Sequence, residues 1–337
     1  MKLSVVIRSK DEAERLRLTL MSLARQSAPA EVVVVNDGSS DSTRAVIDEA
    51  RSFLSLTAVH HETPRGRSGA ANAGAQAASG DVLVFLDGDT LADPEFVRRH
   101  LVAQTERADL IGRGEAFNLR CTRFLQDPEA GTPRPCEAFR IERLSPEERG
   151  RLRVTRSQIL YDFEAISRRA ETGIYPGAGP RRLQELELDA LRRHSNCSVL
   201  WAAACGSNQS VRRDAFLDVG GFDEAITNNE HRELALRLCR AGLRMTPVDG
   251  ARVYHMTHRS GWRDPLKEVE WEAVFYAAHP LLAVKLLAVF WASLSPDSPL
   301  PDEARILSLP ALEAAALGTN GVDYDAARAR LGLPSLG

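Results

Sequence analysis

No CxxC pair occurs among the five cysteines, Cys121, Cys136, Cys197, Cys205 and Cys239, and their number is odd. That excludes a disulfide framework and a cysteine-based zinc site, and reads as the reduced thiols of a cytoplasmic protein. Net charge is nearly absent: 43 Lys+Arg stand against 46 Asp+Glu, a formal −3. A surface built wholly for polyanions is thereby excluded, and nucleic acid is not an expected partner. No GxGxxG turn follows the first apolar run, where "IRSKDEAER" stands instead, which removes the dinucleotide-dependent dehydrogenases. A charged leader with an apolar core is missing too, because "KLSVVI" reads as a strand from residue 2. The longest apolar stretch, "AVFYAAHPLLAVKLLAVFWASL" from Ala273 to Leu294, is interrupted by His279, Pro280 and Lys285. A charge near the centre of a spanning helix costs roughly 2.5–3.5 kcal/mol and proline breaks the helix, so the stretch reads as two buried or interface helices. Peripheral contact with the inner face of a membrane, or a homodimer through these C-terminal helices, are the further readings it allows. Internal repeats and low-complexity tracts are not visible.

What is present is an ordinary globular composition, 44% hydrophobic and 26% charged over 337 residues. The opening alternates strand and helix signals. "LSVVI" is followed by "DEAERLRLTLMSLARQ", with Leu16, Leu20 and Leu23 at helical spacing, and then by "EVVVVNDGSSDS". The valines Val32 to Val35 show no alternation, as expected of a strand covered on both faces of a parallel sheet. Asp41 or Ser42 is placed to cap the next helix, "TRAVIDEARSFL". A third strand, "LTAVHH", leads to a small-residue helix in "GAANAGAQAASG", and a fourth strand, "VLVFLDGD", follows. Four such units in about ninety residues predict an α/β fold with a doubly wound sheet that delivers its functional loops at the carboxyl ends of the strands.

From Gly112 to His194 the pattern weakens. Order returns with a loop at "CGSNQSV", a short helix over Arg213–Val219, a turn at Gly220-Gly221, an amphipathic helix over Glu230–Ala241 and a strand ending at Tyr254-His255. A helical tail is expected from about Trp262, with "SPDSPLPDEA" as its linker-like break. The domain division is 1–260, composed of 1–111 and 112–260, followed by an extension over 261–337.

Asp87 and Asp89 end a buried strand with one glycine between them. Such a pair makes either a solvated turn or a divalent-metal site. Asp37 also follows a buried strand, where it either stabilises its turn or accepts hydrogen bonds from a ligand. Strand polarity predicts that Asp37, Asp87 and Asp89 share one crevice.

Taken in order, "SVVIRSKDEAERL", "VVVVNDGSSDST", "GAANAGAQAASGDVLVFLDGDT" and "GSNQSVRRDAFLDVGGFDEAITNNEHRELALRLCRAG" resemble the family-two glycosyltransferases with the GT-A fold. The resemblance covers roughly residues 1 to 260 apart from the middle stretch. It implies a Rossmann-like mixed sheet and transfer of a sugar from a nucleotide-diphosphate donor, a UDP-sugar, to a hydroxyl acceptor, with inversion. In that reading Asp37 grips the nucleobase and the backbone around Arg8 lines the same pocket. Asp87, Gly88 and Asp89 match the DXD motif: Asp89 binds Mn²⁺ or Mg²⁺, and Asp87 holds the ribose or a metal-bound water. His255 completes the metal site, with His258 its competitor and Arg259 near a phosphate. Arg65 and Arg67 are diphosphate candidates, and Asn72 belongs to the donor side. Gly206, Ser207 and Asn208 lie near the transferred sugar, and Trp201 either stacks on a sugar or belongs to the core.

One departure concerns the base. The family carries Glu-Asp at the start of a helix, whereas this sequence has "NEHREL", so Glu230 is the first candidate and His231 the second. Glu230 can equally serve only to favour a helix N-terminus. A retaining transferase acting on a small phosphorylated or carboxylated acceptor, and a catalytically silent nucleotide-sugar-binding protein, are the alternatives.

Overall fold

The computed structural model describes residues 1–172, 183–258 and 270–336. Its strands are β1 (Leu3–Ser9), β2 (Glu31–Asp37), β3 (Leu56–His61), β4 (Val82–Asp87), β5 (Thr90–Ala92), β6 (Leu110–Asn118), β7 (Leu125–Asp127), β8 (Thr132–Pro133), β9 (Glu171–Thr172), β10 (Gln209–Arg212) and β11 (Arg244–His255). The main sheet runs β3-β2-β1-β4-β10-β6-β11-β5, β9 adds to β6, and β7 pairs with β8 apart. β1, β2, β3 and β4 are mutually parallel; β10 is antiparallel to both β4 and β6. β11 is parallel to β6 and antiparallel to β5, so the sheet is mixed, as expected.

The first helices are α1 (Ala13–Leu23), α2 (Thr43–Ala50), α3 (Gly66–Ala77) and α4 (Phe96–Glu106). They explain why β2 does not alternate. Val32 and Val34 join a core with Leu16, Leu20, Val46 and Ile47, while Val33 joins a second core on the other face with Val6, Ala71 and Ala75. Glycine at 74 is required by α3, since a Cβ there would stand 2.5 Å from Val6 Cγ1. Asp41, rather than Ser42, supplies the oxygen at the start of α2, accepting from the Thr43 N–H at 2.9 Å.

The weakly patterned middle holds β6, the short helices α5 (Ala138–Glu142), α6 (Pro146–Leu152), α7 (Arg156–Tyr161) and α8 (Phe163–Ser167), and α9 (Leu183–Arg193). Then come α10 (Arg213–Asp218) and α11 (Glu230–Arg240). The "CGSNQSV" loop is partly strand: Gln209–Arg212 forms β10, with Gln209 and Ser210 buried.

After the described residues resume, α12 (Glu270–Ala278), α13 (Leu282–Lys285), α14 (Leu287–Ser293), α15 (Leu309–Ala316) and α16 (Tyr324–Arg330) follow. The expected helical start at Trp262, and Arg259, lie outside the described residues. The stretch read as two helices is three, interrupted after Ala278 and again at Leu286. Leu286 to Trp291 are all buried in the same core as Phe85 and Leu234, so this part of the apolar stretch that suggested a dimer contact is covered within this chain, while Val274 and Leu282 of the same stretch are exposed. Among the described residues no helix is long and apolar enough to cross a membrane. "SPDSPLPDEA" is no linker, because Leu300 and Ala304 are buried. Trp201 is in the core, 2% exposed and edge-on to Phe275 at 5.9 Å, which excludes it from stacking on a sugar.

His100 on α4 is fully buried between Ser210 Oγ at 2.9 Å and Asn208 Oδ1 at 2.8 Å. Burial pushes its pKa down to about 4, against a smaller upward pull from Asn208. The unfolded chain therefore binds a proton near pH 6.5 that the folded chain refuses. The stability His100 gains from staying neutral is present above that pH and lost as pH falls toward 4. We expect a loss of about 3 kcal/mol over this window. Urea unfolding at stepped pH checks it, with His100→Gln lacking that part of the pH dependence.

Candidate active site

The carboxyl ends of β1, β2, β4 and β11 open on one crevice of about 500 Å³, lined by Arg8, Asp37, Arg67, Asp87, Gly88, Asp89, Gly206, Ser207, Glu230, His231 and His255, together with residues sequence reasoning did not single out. The predicted convergence of the three aspartates is observed.

Asp37 is buried, and its oxygens accept from the backbone N–H groups of Arg65 at 2.8 Å and Gly66 at 2.9 Å. It also meets His61 Nδ1 at 2.7 Å. The carboxylate thus fixes the turn into α3 while facing the crevice. Arg65 contributes its backbone to this contact and is otherwise exposed; Arg67 lines the crevice.

Asp89 lies where the chain leaves β4 for β5. Its Oδ2 stands 2.7 Å from His258 Nε2 and 3.2 Å from His255 Nε2. The three residues offer ligand atoms that all lie within 4.8 Å of one another. Burial alone would raise the Asp89 carboxyl, but the facing His255 and His258 rings hold it well below the usual carboxylate range. Reciprocally, burial lowers His255 while Asp89 and Asp87 raise it, and the net shift is upward. His255 Nδ1 is paired with Asn118 Oδ1 at 3.2 Å, which turns Nε2 toward Asp89. One carboxylate and two imidazoles, one of them oriented from behind, fit a divalent transition-metal ion. His255 and His258, separate candidates in the sequence, belong to one group.

Glu12 was missed by sequence reasoning. It sits 3.8 Å from His258 Nε2. Burial, then the charges of Asp89 and Asp87, push its carboxyl well above the ordinary range. The preceding Asp11 has φ 54, a left-handed conformation held by Ser40, whose N–H donates to Asp11 Oδ1 at 2.7 Å. A left-handed residue before α1 gave no sequence signal, since aspartate is common in ordinary loops.

Arg8 carries more than backbone into the site. Its Nε donates to Asp87 Oδ1 at 2.9 Å and its Nη1 to Glu230 Oε1 at 2.8 Å. Two carboxylates distant in sequence are joined by one guanidinium. Glu230 is 1% exposed, opening α11 immediately after Asn229, whose φ of 64 turns the chain into the helix. His231 follows with Nε2 facing Arg232 Nη1 at 2.8 Å. Burial, then Arg232, Arg8, Arg67 and Arg113, hold its pKa well below the ordinary value. Behind it, Arg113 and Arg232 share the buried Glu187, at 2.8 and 3.1 Å.

Two predicted residues point elsewhere. Asn72 donates to the Phe222 carbonyl at 2.9 Å and accepts from the Phe222 N–H at 2.8 Å, fastening α3 to the turn before α11. Asn208 is fully buried and donates to the carbonyls of Glu115 and Ala251 at 3.0 and 2.9 Å, tying β10 to β6 and β11. Their neighbours in sequence reach the crevice, but their side chains hold the frame.

Residues 4–152 match the family described as Glycosyl transferase family 2. Validoxylamine A glucosyltransferase of Streptomyces hygroscopicus subsp. jinggangensis (strain 5008) is 33% identical over 253 residues, 72% of this chain and 53% of that protein. Among solved structures, mannosyltransferase PcManGT from Pyrobaculum calidifontis shares the fold with TM-score 0.54 at 15% identity, over 98% of this chain and 79% of that one. S. aureus TarS 1-349 does so with TM-score 0.51 at 18% identity, over 95% and 75%. The chain belongs to the family 2 glycosyltransferases and has their GT-A-type fold with a helical C-terminal region. It spans about half the length of the curated relatives it matches.

Proposed function

We propose that this chain transfers a sugar from a nucleotide-diphosphate donor, a UDP-sugar, to a hydroxyl acceptor, with inversion and with a divalent cation held by Asp89, His255 and His258. The observation that carries the reading is the meeting of that three-residue group with Asp37, Asp87 and Glu230 in one crevice. TarS 1-349 is described in complex with UDP and with UDP-GlcNAc, and PcManGT in complex with GDP-Man and Mn2+, which supports a nucleotide-sugar donor and a metal of this kind.

Asp37 and the N-terminal turn of α3 receive the nucleoside, and Asp87 takes the ribose side. Mn²⁺ or Mg²⁺ supplies Lewis-acid neutralisation of the diphosphate when bound. Asn118 keeps the His255 ring turned toward the cation. Glu230 accepts the acceptor's proton, and Arg8 fixes that carboxylate relative to Asp87. A cytoplasmic setting is part of this proposal.

Nucleotide binding and donor hydrolysis with UDP-glucose, UDP-N-acetylglucosamine and GDP-mannose, with Mn²⁺, Mg²⁺ or EDTA, test it. The expected result is metal-dependent release of one nucleotide, with binding at least about tenfold tighter when metal is present. Equal binding with and without metal across the whole panel overturns the metal assignment, and no nucleotide binding at all overturns the donor assignment.

A further inference from the structure

A line of alternating charges crosses the floor of the crevice. Arg113 donates to Glu187, Arg232 donates to Glu187 and to His231 Nε2, and Arg8 donates to both Glu230 and Asp87, over distances of 2.8 to 3.1 Å. One step is longer: His231 Nδ1 and Glu230 Oε2 are 3.9 Å apart. Nδ1 is buried and has no hydrogen-bond partner. Buried polar atoms of this kind are few in folded proteins and call for a partner.

The tautomer follows from the neighbours. A guanidinium N–H can only donate, so Nε2 must accept from Arg232, and a neutral ring then carries its proton on Nδ1. Partial burial first, and then four arginine charges around the ring, keep it neutral. The Nδ1–H therefore faces Glu230 Oε2 at a separation that one oxygen can bridge, receiving a hydrogen bond from the first and giving one to the second. The wall beside this step is Gly206, where a Cβ would stand 3.1 Å from His231 Nδ1 and 3.4 Å from Arg8 Nη2.

We propose that the nucleophilic hydroxyl of the acceptor docks between His231 Nδ1–H and Glu230 Oε2, so that His231 is a hydrogen-bond donor to the nucleophile and not the base. This rests on the transferase reading above. In the step, the hydroxyl proton passes to Glu230 Oε2 as the hydroxyl oxygen bonds to the anomeric carbon. The bond from that carbon to the diphosphate oxygen breaks, and the nucleoside diphosphate leaves with the electron pair. His231 keeps its proton throughout and fixes the lone pair that attacks.

The test compares His231→Asn with His231→Asp, each against His231→Ala, in full-length protein with water as acceptor and UDP-glucose, UDP-N-acetylglucosamine and GDP-mannose as donors. Asparagine places an N–H where Nδ1–H stood and cannot take a proton, whereas aspartate can take one and has no N–H. None of the three carries an atom where Nε2 met Arg232, so each lacks that contact of the wild-type ring. The expected result is turnover within about fivefold of wild type for His231→Asn, a drop of about 10- to 100-fold for His231→Asp and His231→Ala at nearly unchanged donor KM, and loss of turnover in Glu230→Gln. If His231→Asp is active and His231→Asn is not, or if both match His231→Ala, or if Glu230→Gln turns over normally, the proposal is overturned while UDP or GDP binding stands. If wild-type protein binds neither UDP nor GDP with Mn²⁺ present, the transferase reading itself fails and takes this one with it.

Discussion

Replacing Asp89 by alanine is expected to remove high-affinity divalent-cation binding and to slow nucleotide release at least about 10³-fold. The cause is visible in the arrangement. Asp89 is the sole carboxylate in the three-residue group, and without it His255 and His258 face one another with no anion between them. Burial lowers the His255 pKa and the upward pull against it comes chiefly from Asp89, so the variant's ring loses most of that pull and the cation loses its one anionic ligand. Titration of Mn²⁺ into protein with and without UDP, read by calorimetry or by the free-ion paramagnetic signal, measures binding independently of turnover. Unchanged Mn²⁺ affinity in Asp89→Ala would remove the three-residue group from the mechanism.

The second large effect concerns stability. Glu187→Ala is expected to cost about 3–5 kcal/mol, because it leaves Arg113 and Arg232 buried against one another with no carboxylate between them. Glu187, Arg113 and Arg232 are 3%, 2% and 4% exposed, so solvent cannot take the place of the lost partner. Burial raises the Glu187 carboxyl and the two guanidinium groups pull it back, which shows how closely the triad is balanced. Urea unfolding of Glu187→Ala against wild type checks it. A midpoint unchanged within error would mean that the arginines find other partners. Glu187→Gln, which still offers one carbonyl oxygen, should lose less.

The N-terminal half of the sheet was legible because each of its parallel strands is an unbroken apolar run that stops at polar residues. Val32 to Val35 ending at Asp37, and Val82 to Leu86 ending at Asp87, announce both the strand and the point where a side chain leaves it. β6 and β10 gave no such signal. Arg113 in "LIGRGEAFN" and Ser210 in "QSVR" are buried polar residues, satisfied by Glu187 and by His100 at separations of 74 and 110 residues. No local pattern can announce partners that distant. The same limit explains Asn72 and Asn208, which stand in segments that approach the crevice with side chains facing away from it. Arg8 shows the opposite outcome. It was expected to offer backbone, and its side chain proved to join Asp87 to the residue opening α11, across 79 and 222 positions.

The placement of β10 bears on how the chain comes to be folded at all. Val82 to Phe85 of β4 pair with β1 on one side and wait for Gln209 to Arg212 on the other. During synthesis that flank stays open until residue 212 has emerged, by which time β1, β2, β3 and β4 have long been complete. The nascent protein therefore carries an unpaired apolar strand edge through more than a hundred residues of elongation, the kind of edge that templates aggregation. A fragment ending at residue 152, where the family match stops, would keep it open permanently. Slow, long-range closure is the expected consequence of this one four-residue strand.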